Sequence, residues 1–425
     1  MQGAAVTDLA LADRSLDIQR SAINDAFSPA PSEDPPRRKR YHTLISVDDH
    51  LVEPPNLFVG RMPAKFEDRT PRVIETTEGA HAWLLDGRVL PEIAINAVAG
   101  RPVEQQFLEP TRFDELRRGM WDIDARVRDM DIDGVYASLN FPSALGFAGV
   151  RLTMLDDADF VLAVTQAWNR WHLEEWAGTH RGRIIPCQLP YLLDATTAAV
   201  EVRANAARGF HAITFPEAPH RVGLPSLHTG YWDPLWAACE ETDTVVCIHA
   251  GSGGLGSEVD PDAPQGVLGP MFAITQGLNA AIDWLYSRIA IKFPRIKICL
   301  SEGGIGWVVG LMDRMDHAEY SRAYEGVWDG CELTPTELLR RNFWFCMLDD
   351  PNTLRHQRHV IGVENILLEV DYPHADASWP DTQEKWRLQL DGLPAGEVRR
   401  MAWQNAAELF QHPVPIEVQQ DPESF

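Results

Sequence analysis

Positive charge is scarce in this chain: 38 lysines and arginines stand against 62 aspartates and glutamates, a formal net charge of −24 over 425 residues. A surface this acidic repels polyanions, which argues against nucleic acid and anionic membrane surfaces as partners. No run of about 18 apolar residues is present, so no transmembrane helix is expected. The first residues lack the basic-then-apolar order of a secretory signal, and the expectation is a soluble, cytoplasmic protein. Cysteine is sparse, and its six copies show no CxxC spacing, which removes the usual signatures of a zinc knuckle and a redox dithiol. Phosphate-binding fingerprints are missing too. The glycine-rich GSGGLGS at 251–257 has neither the Rossmann spacing nor the Walker lysine and reads as a rim loop.

What the chain does hold, between residues 43 and 374, is a series of eight short apolar runs: TLISVDD, GVYASLNFP, RIIPCQLP, AITFPEAP, TVVCIHAG, KICLSEGG, FWFCML and NILLEVDYPH. From Asp122 onward they alternate with helical segments, as a parallel sheet requires. Several end in acids or histidines, which is the layout of an α/β TIM (β/α)8 barrel, whose strands all present their carboxyl ends to one catalytic face. Cys187, Cys247, Cys299 and Cys346 fall inside these runs, where a thiol acts as a small buried hydrophobe.

The chain exceeds the roughly 250 residues of a plain barrel. Residues 1–40, with SPAPSEDPPRRKR, read as an N-terminal arm; residues 41–412 form the barrel, and 413–425 a C-terminal tail. Within the barrel, residues 51–120 form an insertion after the first strand. It carries EPPNLF, the hairpin HAWLLDGRVL with an Asp86-Gly87 turn, and a helix of mixed charge ending near Met120. That position suits a lid over the barrel mouth. Trp168, Trp171 and Trp176 share a helical stripe, which reads as core or subunit packing rather than ligand stacking. With the arm, the stripe raises the expectation of a homodimer.

Asp48 and His50 are two apart on the first strand and share a face, with Asp49 on the other. Glu53 follows just beyond the strand end. Each of these residue types is also a common strand terminator, so the motif gains weight only from its company. His249 ends the fifth run before the glycine-rich loop, Glu302 follows the sixth, and Asp371 the eighth. Converging carboxylates repel unless a cation lies between them, so a metal site is expected. His374 reads either as a further ligand or proton donor, or as a loop residue. Glu217, after the fourth run, reads as a rim partner or a solvated acid.

VDDHLVEP, VCIHAG, FPRIKICLSEGGIGW and EVDYPHADASWP together resemble the amidohydrolase-related branch of the metal-dependent hydrolases, typified by aminocarboxymuconate semialdehyde decarboxylase. The resemblance implies ligands at Asp48, His50, His249 and Asp371. Two departures stand out. The usual His-x-His of strand one is Asp-x-His, and the histidine expected after strand six is Glu302.

Four carboxylates with two imidazoles make an oxygen-rich set suited to iron or manganese. The chain also resembles a branch of nonheme di-iron monooxygenases from diterpenoid (platensimycin/platencin-type) biosynthesis, inferred to act on coenzyme A-linked substrates. That resemblance implies two irons held by Asp48, His50, Glu53, His249, Glu302 and Asp371, with Glu302 and His374 as catalytic residues. The partners would be a bulky apolar acyl substrate, dioxygen and an electron donor. The alternative is a decarboxylase or hydrolase with one zinc or manganese and Glu302 as base. A third reading, a non-catalytic binding or scaffold protein that keeps the barrel after losing its chemistry, predicts an empty site, and so many retained carboxylates on one rim argue against it.

Overall fold

The computed structural model describes residues 33–102, 105–106, 109–254, 262, 268–320 and 326–425. Positions 1–32 of the arm and 255–257 of the glycine-rich run lie outside the described residues.

Twelve strands are described. In chain order they are β1 (Ile45–His50), β2 (Arg72–Glu75), β3 (His81–Leu85), β4 (Arg88–Leu90), β5 (Ala137–Phe141), β6 (Ile184–Ile185), β7 (Cys187–Gln188), β8 (Ala212–Thr214), β9 (Val245–His249), β10 (Lys297–Ser301), β11 (Phe343–Met347) and β12 (Ile366–Leu368). All except β2, β3 and β4 belong to the barrel and pair in parallel.

The parallel circuit is irregular at two places. The third barrel strand is split at Pro186, which has no N–H to give to the ladder. Its first half, β6, pairs with β5, and its second half, β7, pairs with β8. Between β12 and β1 no regular ladder forms. Instead Asp371 N donates to Asp48 O at 2.8 Å and His50 N to Tyr372 O at 2.6 Å. Val370 N adds a bond to Ser46 Oγ at 2.9 Å. With these contacts the eight barrel strands form the TIM barrel expected from the sequence.

Local chemistry starts the outer helices. Asp122, Asp157 and Asp194 cap the helices Ile123–Asp133, Ala158–Trp171 and Ala195–Ala206, each accepting from a backbone N–H three residues on. A cap of this kind contributes about 1 kcal/mol. Helices outside and side chains inside leave the strands buried on both faces, so their sequences are continuous apolar runs rather than alternating ones.

Within the insertion, after a 3-10 turn at Ala64–Arg69, β2, β3 and β4 form an antiparallel sheet. Asp86 and Gly87, both at positive φ, form the two-residue turn between β3 and β4, as a primed hairpin turn requires. The chain then returns to the barrel mouth, where Val98 N and Ala99 N both donate to Pro373 O at 2.9 Å. The expected helix ending near Met120 is absent. Two short 3-10 turns, Phe113–Glu115 and Arg118–Met120, stand in its place. Glu115 caps its own turn through Thr111 N and Arg112 N, and Arg117, in extended backbone between the two turns, reaches away to Asp129.

The described end of the arm is fastened to the chain's own C-terminal tail. Arg40 lies 3.7 Å over the Phe425 ring, both Arg37 and Arg40 donate to the Phe425 oxygen, and Thr43 Oγ1 donates to Val418 O at 2.6 Å. Trp168, Trp171 and Trp176 are all buried inside the barrel's helical layer. They pack the chain's own core and so carry no argument for a second subunit. Among the described residues, no helix is long and apolar enough to cross a membrane.

Candidate metal centre

A register shift between Ser46 and Asp49 kinks β1. Asp48 and His50 face the barrel interior, whereas Asp49 turns outward to accept from Ser46 Oγ at 2.8 Å and to face Arg126. His249 ends β9 opposite Ser301. Glu302 and Asp371 adopt positive φ, 54° and 62°, a conformation costing an L-residue roughly 1–2 kcal/mol. Glu302 directly follows β10 and Asp371 lies three residues beyond β12, and from there each carboxylate enters the centre.

These groups meet. His249 Nε2 lies 3.0 Å from His50 Nε2, 3.5 Å from Asp48 Oδ1 and 3.2 Å from Glu302 Oε2. His50 Nε2 lies 3.7 Å from Asp48 Oδ1 and 3.4 Å from Asp371 Oδ1. His374 joins them, with Nδ1 2.9 Å from Asp371 Oδ1 and its ring stacked on His50 at 3.9 Å. Three sets of ligating atoms each fall within 4.8 Å of one another: Asp48, His50 and His249; His50, Asp371 and His374; and Glu302, Asp371 and Asp376.

The polar chemistry of these residues is incomplete without a cation. Asp48 and Asp371 are buried, and none of their four carboxylate oxygens accepts a well-aligned hydrogen bond, even with His374 Nδ1 2.9 Å from Asp371 Oδ1. A buried, unpaired carboxylate is costly, and a metal ion removes that cost. Burial first, and neighbouring acids second, push Asp48, Asp371 and Glu302 well above the ordinary carboxyl range. Burial pushes the imidazoles the other way, His249 to about 3 and His374 to about 4. His50 also falls well below its ordinary value, first through burial and then through its histidine neighbours. Neutral imidazoles are the ligating form. His249 is fixed in a useful tautomer because Nδ1 donates to Ala250 O at 2.6 Å, leaving the Nε2 lone pair toward the cluster.

Glu53 is not brought to this cluster. Its Oε2 accepts from Ala144 N at 2.7 Å and Ser143 N at 3.3 Å, and its Oε1 from Trp168 Nε1 at 3.3 Å. It braces the end of β5 instead, which corrects the expected six-ligand set. Glu217 is not a solvated acid. It is buried, with Oε2 accepting from Ser252 Oγ at 2.7 Å and Gly253 N at 3.0 Å, and it holds the loop after His249 against the end of β8.

Three residues escaped the sequence reading. Asp376 lies two beyond His374 and joins Glu302 and Asp371; its spacing was the available signal. Glu369, raised to about 8 chiefly by burial, accepts from Glu302 N at 3.1 Å. Phe147 packs its ring 4.5 Å from His50 and 4.3 Å from His249, and no local pattern marked it. Grooves of about 520 and 530 Å³ open elsewhere, beside Arg61 and Arg170 and beside Asp34 and Trp379.

Imidazoles and unpaired carboxylates gathered by β1, β9, β10 and β12 define a metal-binding centre on a TIM barrel. A family model described as Amidohydrolase matches residues 77–411, and the chain belongs to that family. Members of this superfamily are metal-dependent enzymes, and the residues present here fit that requirement.

Solved structures share the fold. An amidohydrolase from Mycobacterium avium subsp. paratuberculosis K-10 is 22% identical, with 88% of this chain and 100% of that chain covered and a TM-score of 0.67. The 5-carboxyvanillate decarboxylase of Sphingomonas paucimobilis is 19% identical, with 88% and 100% covered and a TM-score of 0.59. A dihydroxybenzoic acid decarboxylase from Polaromonas sp. JS666, solved with manganese and 2-nitroresorcinol, is 17% identical, with 87% and 97% covered and a TM-score of 0.58.

Proposed function

We propose that this chain is a metal-dependent decarboxylase of the amidohydrolase family, acting on a carboxylated aromatic substrate with no demand for dioxygen. The observation that carries the metal centre is Asp48, whose two buried oxygens lack partners while two imidazole Nε2 atoms lie within 3.7 Å of Oδ1. Asp48, His50, His249 and Asp371 would hold one divalent ion, manganese by the chemistry of the set and by the ion in the Polaromonas relative. When bound, the ion supplies charge neutralisation and polarises a substrate oxygen.

The rest is the work of side chains. Phe147, partly exposed beside His50 and His249, offers a stacking face for an aromatic ring. Glu302, its carboxyl held well above the ordinary range by burial and by Asp376, Glu369 and Glu217, carries the proton that replaces carbon dioxide on the substrate carbon. The insertion, joined to the mouth through Val98, Ala99 and Pro373, serves as the lid that excludes water. Manganese-loaded protein incubated under argon with 5-carboxyvanillate and dihydroxybenzoates should release one carbon dioxide per substrate consumed. No release from any carboxylated aromatic acid in such a panel sinks this reading.

One observation favours a second reading, a nonheme di-iron monooxygenase acting on a bulky apolar acyl substrate. Glu302, Asp371 and Asp376 form a ligating set that shares no residue with Asp48, His50 and His249. Two irons per chain with substrate-dependent oxygen uptake would establish it in place of the first.

A further inference from the structure

Two of the ligand-bearing segments meet at a seam of the barrel. Asp48 and His50 lie on β1 and Asp371 just beyond β12, and this seam has no regular ladder. Any slip there would change the distance between His50 Nε2 and Asp371 Oδ1, now 3.4 Å.

Behind the seam, facing away from the metal cluster, lies a buried charged assembly. Asp49 Oδ1 accepts from Ser46 Oγ on its own strand and, at 3.2 Å, from Tyr372 N on the other. Asp49 Oδ2 lies 3.7 Å from Arg126 Nη1. Arg126 is fully buried on the helix Ile123–Asp133. It donates through Nη2 to the backbone oxygen of His50 and through Nε to Gly119 O at 2.9 Å. Its guanidinium lies 4.3 Å over the Tyr372 ring, and the Tyr372 hydroxyl donates to Asp129 Oδ2 at 2.6 Å. One guanidinium and one carboxylate thus grip both sides of the seam, each within one residue of a ligand.

We infer that Asp49 and Arg126 are positioning residues for the metal centre, fixing the separation of the β1 and β12 ligands by clamping the seam from behind. Burying an ion pair contributes little net stability, but its directional contacts set geometry, and partners outside the ligand set typically change metal affinity by roughly 10–100-fold. The inference rests on the metal centre proposed above but not on the reaction assigned to it.

Manganese affinity of the full chain, measured by chelator competition, tests it together with the electron paramagnetic resonance spectrum of the bound ion. Asp49→Asn keeps an oxygen for Ser46 and Tyr372 and replaces the charged oxygen facing Arg126 with an uncharged amide N–H donor. It should weaken manganese binding by about 10-fold and alter the spectrum while the fold, read by circular dichroism, is retained. Arg126→Gln should weaken it further, with partial rescue in Arg126→Lys. Arg358→Gln, which breaks a pair with Glu397 remote from the cluster, should lower thermal stability without changing affinity or spectrum. Wild-type affinity and spectrum in Asp49→Asn overturn the inference even if Arg126→Gln fails to fold. A wild-type chain that binds no manganese overturns the metal centre, and this inference with it.

Discussion

The Nε2 atoms of His50 and His249 lie 3.0 Å apart on fully buried rings. His249 already uses Nδ1 on Ala250 O, so its Nε2 has only a lone pair to present. Without a cation, His50 must hold its proton between the two rings. With one, both lone pairs are free to ligate, and the nearby carboxylates of Asp48 and Asp371 gain the partner they lack.

Proton and cation therefore compete for the same atoms. Asp48, Asp371 and Glu302 have raised folded-state values, so in metal-free protein they favour the fold while protonated and oppose it as pH rises above the ordinary carboxyl range. The depressed histidines act in the opposite direction, withdrawing stability as pH falls below about 6.5 toward 3 and 4. Between pH 5 and 8, manganese affinity should rise, and the melting-temperature gap between loaded and metal-free protein should widen. Calorimetry on both forms at four pH values checks this; a constant gap would contradict it.

Removing a ligand differs from removing a proton carrier. His249→Ala and Asp48→Ala should each lose most bound metal and turnover together. Glu302→Gln should retain the one ion of the decarboxylase reading and lose turnover by at least about 100-fold, the usual scale of general acid–base catalysis. Loss of metal from Glu302→Gln would make Glu302 a ligand and favour the two-ion reading.

Phe147 is placed to bind rather than react. Phe147→Ala should raise KM for an aromatic acid by roughly 3–10-fold with kcat little changed, since an aromatic pair is worth about 0.5–1.5 kcal/mol. Steady-state kinetics with fixed manganese separates the two constants.

Glu53 provides the converse test. Glu53→Ala strips acceptors from Ser143 N, Ala144 N and Trp168 Nε1 and should cost about 1–3 kcal/mol of stability. Metal content should remain that of the wild type. Denaturant unfolding and elemental analysis on the same preparation check both halves.

The sequence alone determined the barrel and most of its ligating centre because both depend on local pattern. Apolar runs at βα spacing mark buried parallel strands, and an acid or histidine ending such a run lands on the shared carboxyl face wherever it lies in the chain. The Asp48-x-His50 pair, His249, Glu302, Asp371 and His374 were legible in that way.

Glu53 and Asp376 were decided only by tertiary structure. Both are acids in the loop that follows a strand, Glu53 after β1 and Asp376 after β12, and nothing local tells a carboxylate that meets backbone N–H groups from one that meets other carboxylates. Glu53 finds Ala144 N and Trp168 across more than 90 residues of chain, whereas Asp376 finds Glu302. The seam that sets His50 against Asp371 belongs to the same category. Closing the barrel brings residues 48 to 50 beside 370 to 372, and the contacts made there exist only once every intervening strand is in register.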